Sequence, residues 1–165
     1  MKSVGTTRRQ ALFLGAGAAA FGVLGLAVQG RAQPEGRYEV SYSDAEWRRR
    51  LSPAAYAVLR HEGTEPPGSS PLDEFFKPGT YRCAGCDLPL FASAAKFDSG
   101  TGWPSFYAPL PGAVLTSVDR SLLEIRTEVH CRRCGGHLGH VFNDGPRPTG
   151  LRYCMNGVAL AFHAA

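Results

Sequence analysis

Hydrophobic positions change their spacing twice along this 165-residue chain. From Ala11 to Val28 they run almost unbroken, behind a basic head of Lys2, Arg8 and Arg9. Between about residues 43 and 63 they fall at helical intervals. Ser43-x-x-Glu46 predicts a capping box and a helix from about Asp44 to Leu51. Ser52-Pro53 then restarts a helix, with serine as cap and proline at the first helical position. Tyr56 and Leu59 share one face of it, and Gly63 is expected to end it. Pro66-Pro67-Gly68-Ser69-Ser70-Pro71 is incompatible with regular structure and predicts an extended loop. After Lys77 the period becomes two. Leu123, Ile125, Thr127 and Val129 alternate with polar residues, the pattern of a half-buried strand. Val114–Ser117 is expected to pair with it through a turn at Asp119-Arg120. Val158, Leu160 and Phe162 alternate again, and Gly139–Phe142 and Leu151–Cys154 are further short strands. With 20 glycines and 12 prolines, the predicted fold is mainly β: twisted antiparallel sheets or a small barrel-like domain, carrying short N-terminal helices.

The apolar run ends at Gly30-Arg31-Ala32, with small residues where a signal peptidase cuts. Residues 1–32 therefore read as an export signal. Thr7-Arg8-Arg9, followed by Leu12 and Phe13, looks like a twin-arginine signal, although Ala11 stands where a bulkier apolar residue is usual. The expected location is periplasmic, or membrane-anchored if the segment is retained. Residues 33–42 read as a linker and 43–165 as one domain. Charge changes with the cut. The chain is +4, from 18 Lys and Arg against 14 Asp and Glu, and residues 1–32 hold four bases and no acid. The remainder is neutral, with no clustered positive face for nucleic acid. Arg48-Arg49-Arg50 reads as a solvated helix face. A monomer is expected.

Four of the five cysteines form two turns of equal spacing, Cys83-x-x-Cys86 and Cys131-x-x-Cys134. Four convergent thiolates suit a tetrahedral, coordinatively closed zinc ion, and so a structural one. Two disulfides, or redox-active pairs, are the alternatives in an oxidising compartment. The long interval from Asp87 to His130 requires most of a sheet to be inserted between the two turns. Cys154 is left over. It lies two residues after Arg152, in a chain that also carries His137 and His140, and it is the candidate nucleophile. Residue type alone leaves inert packing open for Cys154, metal ligation open for His137, a core role open for His140 and Trp103, and a plain turn open at Asn156-Gly157.

Four segments carry a resemblance: Gly79-Thr80-Tyr81-Arg82-Cys83-Ala84-Gly85-Cys86; Lys96-Phe97-Asp98-Ser99-Gly100-Thr101-Gly102-Trp103-Pro104-Ser105-Phe106; Cys131 through Pro146; and Leu151-Arg152-Tyr153-Cys154-Met155-Asn156. In this order they resemble the methionine-R-sulfoxide reductases of the B type, from about Trp47 to Phe162. The resemblance implies a zinc-bearing antiparallel β fold and reduction of methionine sulfoxide in oxidised proteins or peptides. It implies Cys154 as nucleophile, His137 and His140 as donors to the sulfoxide oxygen, Asn156 as their orienting partner, and Arg152 as a cation favouring the thiolate. It implies Trp103 and Phe142 as walls for the S-methyl group, and Cys83, Cys86, Cys131 and Cys134 as zinc ligands. Two positions depart from the family. Thr101 stands where many members carry a resolving cysteine, so a thioredoxin-like dithiol is expected to resolve the sulfenic acid. Gly157 replaces the usual serine. His61, His130 and His163 are expected to be structural or on the surface. A zinc-stabilised binding module and a disulfide oxidoreductase are the other classes the residues allow.

Overall fold

The computed structural model describes residues 38–165. The segment read as an export signal lies outside these residues, as does the first half of the linker. Two short helices come first, α1 (Asp44–Arg50) and α2 (Pro53–His61). Ser43 accepts from the Glu46 amide at 3.3 Å, and Ser52 accepts from the Ala55 amide at 3.2 Å, so each serine satisfies a first-turn donor. The reciprocal half of the capping box is not made. The Glu46 carboxylate turns along the helix to Arg50 at 3.0 Å, a charge-assisted bond one turn away. The left-handed residue that closes α2 is Glu62, one position before the expected Gly63. α2 buries Ala55, Tyr56, Val58 and Leu59, two adjacent rows of one apolar stripe.

Among the described residues nine strands follow: β1 (Gly79–Cys83), β2 (Pro89–Ala92), β3 (Lys96–Phe97), β4 (Ser105–Phe106), β5 (Val114–Asp119), β6 (Arg126–Cys131), β7 (His137–Phe142), β8 (Arg152–Met155) and β9 (Leu160–Ala164). All pairings are antiparallel. One sheet has the order β2-β1-β9, the other β3-β4-β8-β7-β6-β5. The mainly β expectation holds. Val158 does not join the last strand; it lies in a short 3₁₀ turn, Gly157–Ala159.

The two sheets meet over an aromatic core. Phe91 stacks on Phe106 at 4.4 Å between ring centroids, and Tyr81 meets Phe106 edge-on at 4.9 Å. Leu90, Val129, Leu138 and Met155 are fully buried around them. Each such side chain contributes roughly 1.5–3 kcal/mol by leaving water. Strand period two has a consequence for the larger sheet. Its core face takes Phe106, Met155 and Val129, so its other face must take Ser105, Cys154, His140 and Glu128, which are cross-strand neighbours in register.

The pattern around β6 needs correcting. Leu123 and Ile125 precede the strand in an exposed loop, Thr127 is exposed, and only Val129 of that apolar series is buried. The intervening polar residues Arg126 and Glu128 are the half-buried set. The turn expected at Asp119-Arg120 is a longer loop, since Asp119 pairs directly with Arg126.

Candidate active site and metal centre

The cysteine turns are alike in backbone. In the first, the Asp87 amide donates to the Cys83 carbonyl at 2.8 Å; in the second, the Gly135 amide donates to the Cys131 carbonyl at 2.8 Å. The residue after each pair is left-handed, Asp87 at φ 59° and Gly135 at φ 66°. Cys83 ends β1 and Cys131 ends β6, so the smaller and larger sheets each present one turn to a common point. The four Sγ atoms lie within 4.8 Å of one another. The closest approaches are 3.7 Å for Cys83–Cys134 and 3.5 Å for Cys86–Cys131. A zinc–sulfur bond of about 2.3 Å gives tetrahedral edges of roughly 3.8 Å, whereas a disulfide needs about 2.05 Å. All four thiols are free, so the disulfide alternative is not realised. Hydrogen bonding from Cys134 pulls the Cys131 thiol strongly down, while hydrogen bonding to Cys131 pushes Cys83 and Cys134 up. Four sulfurs this close repel when ionised, so full deprotonation calls for a central cation. The donor set fits a soft or borderline metal ion.

Cys154 is built differently. It is half-buried on β8, between Ser105 of β4 and His140 of β7. A cleft of about 120 Å³ opens over it, lined by Thr64, Trp103, Arg126, Gly139, His140, Phe142, Cys154 and Asn156. Burial pushes the thiol up from its ordinary value, opposed by the Thr101 hydroxyl, the Arg152 charge and the Ser105 hydroxyl. Thr101 Oγ1 is 3.9 Å from Cys154 Sγ. Arg152 lies two residues earlier on the same face. Its guanidinium grips Asp144 with bonds of 2.9 and 2.7 Å and covers the Phe142 ring at 4.5 Å.

His137 and His140 are an odd number of residues apart, so a regular strand would send them to opposite faces. A bulge prevents that. Val129 pairs with Gly139 and His130 with His137, so Leu138 is the extra residue. Both imidazoles therefore reach the cleft face, with ring centroids 5.4 Å apart. Gly139 is required where the strands close up: a Cβ there would lie 2.1 Å from the Cys154 carbonyl oxygen. His140 Nε2 pairs with Asp119 at 2.8 Å, and His137 Nδ1 pairs with Glu128 at 2.8 Å. His137 lies behind the cleft lining, and its Nε2 is buried with no partner. Burial pushes His140 down, the Asp119 bond raises it, and the Arg126 charge lowers it again. Burial works against ionisation of Asp119 and Glu128, but hydrogen bonds overcome it. Ser121, His140 and Arg126 hold Asp119 well below the usual carboxylate range, and His137 and Ser117 take Glu128 down to about 2.

Asn156 lines the cleft, but its polar atoms serve the backbone. Its Nδ2 donates to the Leu138 carbonyl at 3.1 Å, and its Oδ1 accepts from the Glu65 amide at 2.9 Å. It thereby fixes the bulge that carries both histidines. Trp103 Nε1 donates to the Glu65 carbonyl at 3.1 Å, which sets the ring against the cleft. Gly102 makes this turn possible: at φ 87° it packs so close that a Cβ would meet Pro67 Cβ at 2.8 Å.

Sequence reasoning missed four contributors. Asp119, Arg126 and Glu128 were hidden in a hairpin read by its apolar positions. Glu65 was hidden in a proline-rich approach. Its buried carboxylate accepts from the Gly157 and Val158 amides at 2.6 and 2.9 Å, so one residue ties Trp103, Asn156 and the turn after Cys154 together. Its place beside a capped helix end gave no signal. Gly157 also acquires a reason: a Cβ there would lie 2.0 Å from Ser70 Oγ.

Comparison with known proteins now bears on this arrangement. Residues 51–164 match the family model described as the SelR domain. The chain is 54% identical over 125 residues to the peptide methionine sulfoxide reductase MsrB of Agrobacterium fabrum (strain C58), covering 75% of this chain and 93% of that protein. It is 56% identical over 124 residues to that of Thioalkalivibrio sulfidiphilus, covering 74% and 90%, and 57% identical over 116 residues to that of Pseudomonas entomophila, covering 70% and 88%.

Proposed function

The chain belongs to the SelR-domain family of MsrB peptide methionine sulfoxide reductases, and from that premise we propose that it reduces methionine-R-sulfoxide in proteins with Cys154 as nucleophile. The observation that carries this reading is the placement of Cys154 in a cleft walled by Trp103 and Phe142, with His140 directly across the strand pair.

The thioether methyl group rests against the Trp103 ring, which favours sulfur and methyl contacts. Bound there, the sulfoxide presents its sulfur to Cys154 and its oxygen towards His140. The resting thiol carries its proton, because burial raises it. Attack forms a sulfur–sulfur bond as that proton passes to the sulfoxide oxygen by way of His140, which Asp119 holds in one orientation. The hydroxyl oxygen then moves to the Cys154 sulfur, forming an S–O bond there as the substrate S–O bond and the transient sulfur–sulfur bond both break. The products are methionine and a Cys154 sulfenic acid, so the thiol is oxidised by two electrons and the sulfoxide reduced by two. Arg152 supplies the positive charge beside the sulfur, and His137, set by Glu128, supports His140 from behind.

An external dithiol of the thioredoxin type then attacks the sulfenic acid, releases water and leaves as a disulfide, restoring the thiol. Thr101 supports this route, since its side chain, 3.9 Å from Cys154 Sγ, offers a hydroxyl and no second thiol. Cys83, Cys86, Cys131 and Cys134 would hold one structural zinc ion, whose contribution would be to the fold and not to the reaction. Residues 1–32 direct export by the twin-arginine route to the periplasm, where the mature domain works as a monomer.

The deciding experiment measures reduction of separated R and S sulfoxides with and without a dithiol donor. Without donor, one methionine per chain is expected from the R form and none from the S form. Equal use of both isomers, or a Cys154 disulfide to a cluster cysteine by mass spectrometry, overturns the reading.

A further inference from the structure

Glu65 is a buried acid that takes no part in the proton and sulfur steps. It lies in residues 62–66, where no helix or strand holds the chain. All four of its polar atoms are nevertheless bonded. Three of them grip one short turn. Oε1 accepts from the Gly157 amide at 2.6 Å, Oε2 accepts from the Val158 amide at 2.9 Å, and the Glu65 amide donates to Asn156 Oδ1 at 2.9 Å. The 3₁₀ turn Gly157–Ala159 has no cap from its own Asn156, so a carboxylate 92 positions away caps it instead. The fourth atom, the Glu65 carbonyl oxygen, accepts from Trp103 Nε1 at 3.1 Å, and an indole has no other polar group. The backbone beside Trp103 is fixed separately. The Met155 amide donates to the Pro104 carbonyl at 2.9 Å, and Ser105 pairs with Cys154. Side-chain torsions still lie between that backbone and the ring, and the Glu65 carbonyl is the polar contact that sets them.

We propose that Glu65 is a positioning residue that sets the width of the cleft between the Trp103 ring and Cys154, and with it the size of the S-alkyl group the site admits. This rests on the sulfoxide reductase reading and deepens it. The path from nucleophile to wall is short. Cys154 leads along the chain to Gly157, the Gly157 amide holds the Glu65 carboxylate, and the Glu65 carbonyl holds the indole. Thr64, the preceding residue, lines the same cleft. Pro66, the next residue, narrows the backbone conformations open to Glu65. The Gly157 and Val158 amides need two acceptor oxygens. A carboxamide offers one, so in Glu65→Gln either orientation sets an NH₂ group against an amide N–H. The unpaired amide loosens the grip, lets the carbonyl shift and frees the indole to turn. A displacement of about 1 Å is enough to spoil a near-attack geometry, and the same slack makes room for a larger alkyl group.

The test compares the full native chain with Glu65→Gln, Glu65→Asp and Ser52→Ala. The substrates are N-acetyl-methionine-R-sulfoxide and its S-ethyl homologue, with dithiothreitol as donor. The native chain should prefer the S-methyl form by about tenfold or more, the discrimination that one methylene gives in a shaped pocket. Glu65→Gln is expected to lower kcat/KM on the S-methyl substrate about tenfold and to cut the methyl preference about fivefold. Alkylation of Cys154 by iodoacetamide should stay within about twofold of native, because β8 keeps its pairing on both sides. Glu65→Asp keeps both acceptor oxygens on a shorter stem and should fall between the two. Ser52→Ala removes a helix cap outside the cleft; it should lower the melting temperature and leave the preference unchanged. A native methyl preference in Glu65→Gln, or equal losses on both substrates, makes Glu65 a structural residue only and overturns the proposal. Should Glu65→Gln not fold, a native preference in Glu65→Asp does the same. A native chain without methyl preference overturns it too, while leaving the reductase intact. No turnover of any sulfoxide by the native chain removes both.

Discussion

The cysteine cluster and the Cys154 cleft use the same side chain under opposite conditions. In the cluster, sulfurs are each other's neighbours: three of the cysteines are buried and all four sulfurs fall within 4.8 Å of one another. In the cleft, the sulfur's neighbours are a hydroxyl, a guanidinium and an imidazole, and space for a substrate lies above it. The first set has the number and spacing to close a coordination shell, and the second leaves its one sulfur facing open space. Number and neighbours, rather than residue type, decide whether a thiolate stabilises a fold or attacks a substrate.

Removing the open sulfur should have the largest effect. Cys154→Ser is expected to lower sulfoxide turnover by roughly 10³-fold or more while metal content and melting temperature stay unchanged. Retained turnover would erase the distinction between the two regions. Removing a closed sulfur should do the reverse. Cys131→Ser is expected to release the metal and lower the melting temperature by more than about 10 °C, as read by metal analysis and calorimetry. Unaltered melting with the metal gone would mean that the cluster does not hold the two sheets together.

A positioning change sharpens the contrast from within the cleft. Asp119→Asn keeps a hydrogen-bond partner for His140 but removes the charge that raises it, leaving burial and Arg126 to push it further down. Turnover is expected to fall roughly 10²-fold, with the His140 titration, followed by NMR, moving to lower pH. An unmoved titration would deny the coupling. The mildest prediction concerns pH. Because burial holds Cys154 above the ordinary 9.0, its thiolate fraction should grow about tenfold per pH unit from 6 to 9. Alkylation by iodoacetamide should follow that slope, whereas Cys83, Cys86, Cys131 and Cys134 are expected to stay protected once a metal ion is bound. A rate already level at pH 7 would indicate a lowered thiol instead.

Glu128 adds an acid limit to the folded site. Its carboxyl is lowered from 4.5 to about 2, so the stabilisation it provides is complete above about 4.5 and is lost as pH falls towards 2. In the folded protein His137 keeps its oriented carboxylate partner until the pH approaches about 2.

Much of this was legible in the residues. Cys83, Cys86, Cys131 and Cys134 announce themselves by spacing, because a metal turn is a local object. Cys154 stands out by subtraction. Ser52-Pro53 announces α2 because its cap and first turn are contiguous in sequence. The β5–β6 hairpin shows where such reading stops. Its alternation drew attention to Leu123, Ile125 and Val129, while the chemistry sits on the polar residues between, Arg126 and Glu128. The pattern of a two-sided strand does not say which side is the site. Nor does it reveal a bulge, so His137 and His140 could be named without any account of how an odd interval puts them on one face.

The amino-acid sequence by itself determined the class of fold, the two sulfur populations and the family. Those rest on local spacing and side-chain chemistry. Tertiary structure alone decided that Glu65 ties Trp103 to Asn156 and that Asp119 and Glu128 hold the histidines. Each of these joins residues 9 to 93 positions apart in the chain; the histidine partners meet by strand register, which follows from burying one face of the sheet as a whole, and the Glu65 contacts by loops packed against that sheet.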